Sequence, residues 1–379
     1  MTKRIVLKLF FLFIIWHIGV FSLSYFADRF LPYKPSFSLI DLTLIPSGLP
    51  RSIYSFGNFD GVHYITIARD GYNHVEGIQA FFPLFPRIVL GVFHDFFGRS
   101  TELLAIGLIL SNLFFFGFLC LLFTFIQEKF NPKTAWGAVI TVLIFPTSFF
   151  FGALYTESLF MLLVIGSFYA AHRKKWRLAG VLAAFASCTR VVGIFLVPAL
   201  LIELWSHKEQ RSAKNVLAIL IGCAGLLAYM AYLWTSFGDP LLFAHVQSGF
   251  GAGRSTTIVL YPQVLWRSLK ILLTSPRNIA YVTYIQEFAA GTLGLILLLL
   301  AYKRVPKSWT VFALLCFFFP PLTGTFSSMS RYLLVCFPIY ILGGWLYAKY
   351  PKAIYLLWAI SFFLLCVNTI LFIQGYWVA

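Results

Sequence analysis

Charge is what this sequence has least of. Only 11% of its 379 residues are Asp, Glu, Lys or Arg, against about 25% in a soluble domain. With 60% hydrophobic residues, that scarcity excludes a soluble enzyme, a disordered chain and a nucleic-acid-binding domain. Acids are scarcer still, 13 against 29 Lys and Arg. In a soluble protein the resulting +16 would point to nucleic acid. Here it reads as basic loops held against an anionic cytoplasmic leaflet. Cysteines number six, all inside apolar runs and none at C-x-x-C spacing, so neither a disulfide framework nor a zinc site is expected. There is no G-x-x-x-x-G-K-[ST] phosphate loop, no repeat period and no low-complexity tract. The first apolar run, Ile5 to Phe26, is longer than a signal h-region and lacks a small-x-small cleavage site, so a cleaved signal peptide is not expected.

What is abundant is apolar sequence. A helix crosses a bilayer with about 20 apolar residues, and many such runs occur. The expected fold is all-α, a polytopic transmembrane bundle with about eleven spans: 5–26, 101–126, 133–154, 156–172, 178–189, 191–205, 214–236, 281–301, 308–325, 332–348 and 352–372. The pair 178–189 and 191–205 is short and broken at Arg190. Placing the N-terminus in the cytoplasm puts 17 of the 29 basic residues on the inner side and only Glu128, Glu203 and Glu209 of the 13 acids. Loop Lys and Arg set orientation, so the C-terminus is expected outside. The same rule makes 83–97 an outer interfacial helix rather than a span, with Arg87, His94 and Asp95 facing water. Two outer segments are long, 27–100 and 237–280, and long ordered loops carry function.

The polar residues that could do chemistry gather in those segments and at span ends. Gly57-Asn58-Phe59-Asp60-Gly61-Val62-His63 leads into a short amphipathic helix that Gly71 would cap. Asp60 is either an N-cap for that helix or a general base at the membrane surface, with His63 one turn on. Gln79-Ala80-Phe81-Phe82-Pro83-Leu84-Phe85-Pro86 suits a helix start within an interfacial aromatic belt. Glu157, in Tyr155-Thr156-Glu157-Ser158, is either a cap for 156–172 or a polar group that positions substrate. Arg190, between two short apolar segments, needs a partner or water, and an anionic ligand or Glu157 would serve. Gly238-Asp239-Pro240 ends a span. Beyond it lie His245, Gln247, the alternating Gly249, Gly251 and Gly253 of a mobile loop, and Arg254. Arg331, where 332–348 begins, either anchors to headgroups or holds the phosphate of a lipid-linked substrate.

Taken together these motifs resemble the family of GPI-type mannosyltransferases (PIG-V-like), within the GT-C class of polytopic glycosyltransferases. The resemblance runs over about 54–340. It rests on Phe59-Asp60-Gly61-Val62-His63-Tyr64, Ala68 with Gly71-Tyr72, and Ala80-Phe81-Phe82-Pro83-Leu84-Phe85-Pro86. Tyr155-Thr156-Glu157-Ser158-Leu159-Phe160, Thr189-Arg190, Gly238-Asp239-Pro240 and Ser330-Arg331-Tyr332 follow in order. The family pattern has Trp where this chain has Phe59. The resemblance implies one GT-C-like domain over 1–379 and inverting transfer of a hexose, mannose first, from a polyprenyl-phosphate donor to an acceptor hydroxyl outside the cell. It implies Asp60 as general base, Arg190, Arg331 and Arg254 at the phosphate, and His63, Glu157 and Gln247 positioning substrate. Implied partners are that donor, a lipid or glycan acceptor and membrane lipids. No cofactor is implied, and a divalent metal is left open. The sequence contains no Asn-x-Ser/Thr sequon, which points to a prokaryotic homologue in the cell membrane rather than an endoplasmic-reticulum enzyme. Two rival readings are a transporter, which should show paired broken helices in two repeats, and a transferase of another lipid-linked group.

Overall fold

The computed structural model describes residues 2–35, 37–97, 102–250, 253–255 and 257–378. Gly251 and Thr101, two positions of the sequence reading, lie outside them. The described chain is helical, with no strand. Among the described residues five helices are long and apolar enough to cross a membrane: Lys3–Arg29, Leu103–Lys129, Ala213–Phe237, Ile279–Tyr302 and Pro351–Ile373. At 1.5 Å per residue each exceeds the ~30 Å hydrocarbon core. A sixth is a bent pair, Met329–Val335 and Pro338–Lys349, turned by 73°. The expected count of eleven spans is not confirmed: by length and composition five or six helices among the described residues qualify, and Glu157–His172, Trp176–Thr189, Val191–Ser206 and Lys307–Thr323 are shorter apolar helices.

Proline accounts for part of the difference. Helix Pro132–Leu143 starts on Pro132, with the Asn131 side chain accepting the Thr134 N–H at 2.9 Å, the capping arrangement that orphan N–H groups need. It was expected to run to 154. It stops at Leu143 because Pro146 follows, and the chain turns through the 3₁₀ segment Ser148–Phe151. Likewise 308–325 is α-helical only over Lys307–Phe318 before Pro320-Pro321, and Pro338 divides 332–348. The break at Arg190 lies where the sequence put it: Arg190 is extended, with φ −152° and ψ 144°. Gly193 then lets the backbone pass so close to Ala186 that a Cβ would sit 2.4 Å from its carbonyl carbon. Residues 83–97 form a wide π-helical turn, Leu84–Leu90, and the helix Gly91–Phe97. Arg87 and Asp95 are exposed there and pair at 3.6 Å, while His94 is half-buried.

The chain divides into two compact units. The first comprises Met1–Gly71, Pro86–Leu162 and Tyr340–Val378. Its core is aromatic: Phe115 stacks on Phe151 at 4.9 Å, and Trp16 packs on Phe115 while its Nε1–H donates to the Leu143 carbonyl at 2.7 Å. Helices Pro132–Leu143 and Pro338–Lys349 cross with little between them, since a Cβ on Gly344 would lie 2.2 Å from the Thr134 carbonyl oxygen. The second unit comprises Tyr72–Phe85 and Leu163–Ile339. Trp309, Phe168 and Phe337 form its aromatic centre. The Ser187 hydroxyl donates to the Gly222 carbonyl at 2.8 Å, tying Trp176–Thr189 to Ala213–Phe237. Ile15, Leu220, Leu356 and Phe363 stand on the outside, exposed. Apolar surface of this extent suits lipid rather than water.

Candidate active site

Helix Asp60–Asp70 carries the first site residues. Asp60 is its first helical residue, and the N-cap is Phe59, with no side-chain cap bond. The N-cap position belongs to Phe59 and Asp60 stands one residue inside the helix. Phe59 has φ +60° and ψ −112°, a conformation a bulky residue adopts only when its surroundings compel it. Those surroundings are visible. The Phe59 ring packs on Phe37 at 4.8 Å, Trp377 at 5.4 Å and Phe372 at 5.7 Å. Asn58, fully buried, donates from Nδ2 to the Phe372 carbonyl at 2.8 Å and the Ile373 carbonyl at 3.3 Å. These are last-turn carbonyls of Pro351–Ile373, which have no partner within their own helix. Asp60 itself is half-buried.

The second motif lies against the first. Leu154 N–H donates to the Phe56 carbonyl at 2.9 Å. The Tyr155 hydroxyl donates to the Asn58 carbonyl at 2.8 Å and accepts the Asp60 N–H at 3.2 Å. Gly61 keeps this crossing close: a Cβ there would lie 3.4 Å from the Leu154 carbonyl oxygen. Glu157 follows as the fully buried first residue of Glu157–His172. His63, one turn after Asp60, is mostly buried. Burial holds its imidazole below the usual histidine range, and the Asp60 charge opposes that shift in part. Gly71, with φ +77°, closes the helix as its sequence position suggests.

The remaining candidates belong to the second unit. Arg190 lies with its guanidinium carbon 6.0 Å from the Tyr332 ring centre, at the edge of cation–π range. Arg331, the residue before Tyr332, is buried in the short helix Met329–Tyr332. That helix follows Ser328, whose φ is +66° and whose N–H donates to the Glu287 Oε1 at 3.0 Å. Arg254 donates from Nη1 to the Gln247 Oε1 at 2.9 Å, and Gln247 donates to the Phe243 carbonyl at 3.1 Å. Contacts place the helix of Asp60 and His63 beside the motif of Glu157, Arg190 near Tyr332 in the turn of Arg331, and Gln247 on Arg254. Among the described residues no three His, Cys, Asp or Glu come together as a metal cluster would.

The sequence model of the family described as Mannosyltransferase (PIG-V) matches residues 3–237, more than half the chain. The chain belongs to that family. No curated protein matches it. As a PIG-V mannosyltransferase built on apolar spanning helices it is a membrane glycosyltransferase. The family match includes Asp60, His63, Glu157 and Arg190, and ends before Gln247, Arg254 and Arg331.

In this mannosyltransferase three features escaped the sequence reading. Asn58 and Tyr155 stood inside quoted motifs without a role. Glu287 was absorbed into an apolar span, although an acid there is itself a signal. The Phe-Phe-Pro segment, read as an interfacial belt, is held inside the second unit. The Tyr229 hydroxyl donates to the Gln79 carbonyl at 2.7 Å, Gln79 donates to the Tyr72 carbonyl at 2.8 Å, and Phe82 packs on Tyr229 and Phe243.

Proposed function

We propose that this mannosyltransferase transfers a hexose, mannose first, from a polyprenyl-phosphate carrier to an acceptor hydroxyl at the extracytoplasmic face, with inversion and with Asp60 as general base. The observation that carries the reading is the placement of Asp60: a half-buried carboxylate in the first turn of a helix, its backbone N–H held by the Tyr155 hydroxyl. In the reaction the acceptor oxygen attacks the anomeric carbon as its proton passes to the Asp60 carboxylate. The bond from that carbon to the phosphate oxygen breaks, and polyprenyl phosphate leaves with the electron pair. Positive charge must meet the phosphate as its charge grows. Arg190 and Arg331 are assigned to that role, with Arg254 in support. His63, held neutral by burial, Glu157 and Gln247 position substrate.

The test offers radiolabelled polyprenyl-phosphate-mannose and a lipid extract of the source membrane to purified protein in nanodiscs. Wild type should move label into a new product. Asp60→Asn should lower that rate by about 10²–10⁴-fold, the span of general-base contributions, at an unchanged melting temperature. Equal turnover by both proteins removes Asp60 as the base. Label moved by neither overturns the donor assignment.

A further inference from the structure

Asp60 is held by groups that take no part in bond making. Three of them converge on the peptide unit before it. The Tyr155 hydroxyl bridges the Asn58 carbonyl, at 2.8 Å, and the Asp60 N–H, at 3.2 Å. Asn58 is bolted in turn to the end of Pro351–Ile373 through the Phe372 and Ile373 carbonyls. Between the two residues, Phe59 is held at φ +60° by Phe37, Phe372 and Trp377. Left-handed backbone at a bulky residue costs about 1–3 kcal/mol and persists where neighbours over-determine it. Without the bridge, the peptide between Phe59 and Asp60 is free to rotate towards an ordinary conformation, and the carboxylate turns with it.

We propose that Tyr155 and Asn58 are positioning residues: a clamp, closed by the last helix of the chain, that sets the direction in which Asp60 presents its carboxylate. The inference rests on the reading of Asp60 as the base. It adds that the end of the chain, outside the stretch matched by the family, belongs to the working parts of the site. Both clamp side chains are buried, Asn58 fully and Tyr155 at 1% exposure, so neither meets substrate directly. The Tyr155 ring packs on Phe150 at 4.8 Å and on Phe372 at 5.9 Å. Tyr155→Phe therefore keeps the packing and removes only the bridge.

The experiment measures steady-state transfer by wild type, Tyr155→Phe, Asp60→Asn and the double variant in nanodiscs, with melting temperatures. Displacement of a catalytic group by about 1 Å lowers a rate by about 100-fold. Tyr155→Phe should thus lose about 10- to 100-fold in kcat, with donor and acceptor KM within about two-fold of wild type. The double variant should be no slower than Asp60→Asn, because an absent base has no direction to lose. Asn58→Asp, which removes the donor to the helix-end carbonyls, should show the same kcat effect in whatever fraction folds. A Tyr155→Phe protein with wild-type kcat overturns the clamp while an inactive Asp60→Asn leaves the base standing. A loss confined to KM or to melting temperature also overturns it, since that is what packing alone would give. Full activity of Asp60→Asn removes the base, and the clamp falls with it.

Discussion

A carboxylate at a helix start is ordinarily there to cap it, and Asp60 shows how one residue of displacement changes its meaning. Placed at the first helical position, it leaves the capping position to Phe59. His63 offers a test at the same scale. Burial holds its pKa down, so the folded protein keeps it neutral while the unfolded chain takes up a proton near pH 6.5. Its contribution to stability is complete above about pH 6.5 and is lost as pH falls towards the lowered folded value. Melting temperatures between pH 7.5 and 5.5 should fall for wild type and fall less for His63→Gln; parallel curves would show that His63 is not the group responsible. The arginines give a second prediction. Arg331→Lys keeps the charge and loses the planar fork. If it holds the donor phosphate, donor KM should rise about ten-fold, the loss of roughly one charge-assisted hydrogen bond. Arg190→Ala should weaken binding of polyprenyl phosphate or lower the melting temperature, and a variant unchanged in both has neither role.

At the scale of elements, the apolar runs predicted helices well and their lengths less well. Runs 5–26, 214–236 and 352–372 became Lys3–Phe26, Ala213–Phe237 and Pro351–Ile373. Run 133–154 did not survive, although Pro146 was there to be read. Hydropathy averages over a proline, whereas the backbone responds to its missing N–H and to the bar it sets on the preceding residue. Small residues explain how the short helices pack. Gly344 lies where a side chain would enter the backbone of Pro132–Leu143. Gly344→Val should destabilise the protein by about 1–3 kcal/mol, as overpacking does, seen as a lower melting temperature in detergent. An unchanged melt would mean that the two helices separate freely.

For the whole molecule the open question is direction across the membrane. The excess of Lys and Arg in one set of loops leads us to expect 27–100 outside. Asn73 is exposed, so Asn73→Cys should react with a membrane-impermeant thiol reagent in intact cells, well above the parent protein. The native cysteines are buried or half-buried. Labelling only after permeabilisation would reverse the orientation and move the proposed active face with it.

Composition alone was enough for the class of this protein, because the cost of placing charge or unpaired backbone in hydrocarbon leaves apolar helices as the form such a chain takes. Local motifs were enough for its family, since Asp60, Glu157 and Arg190 sit in short patterns readable in one dimension. Neither could reveal how Asp60 is held. The backbone before it is fixed by Asn58 reaching Phe372 across 314 positions of sequence and by Tyr155 arriving from another helix end. Contacts of that span leave no periodicity and no spacing rule, so only the folded chain decides how the backbone that carries the acid is held.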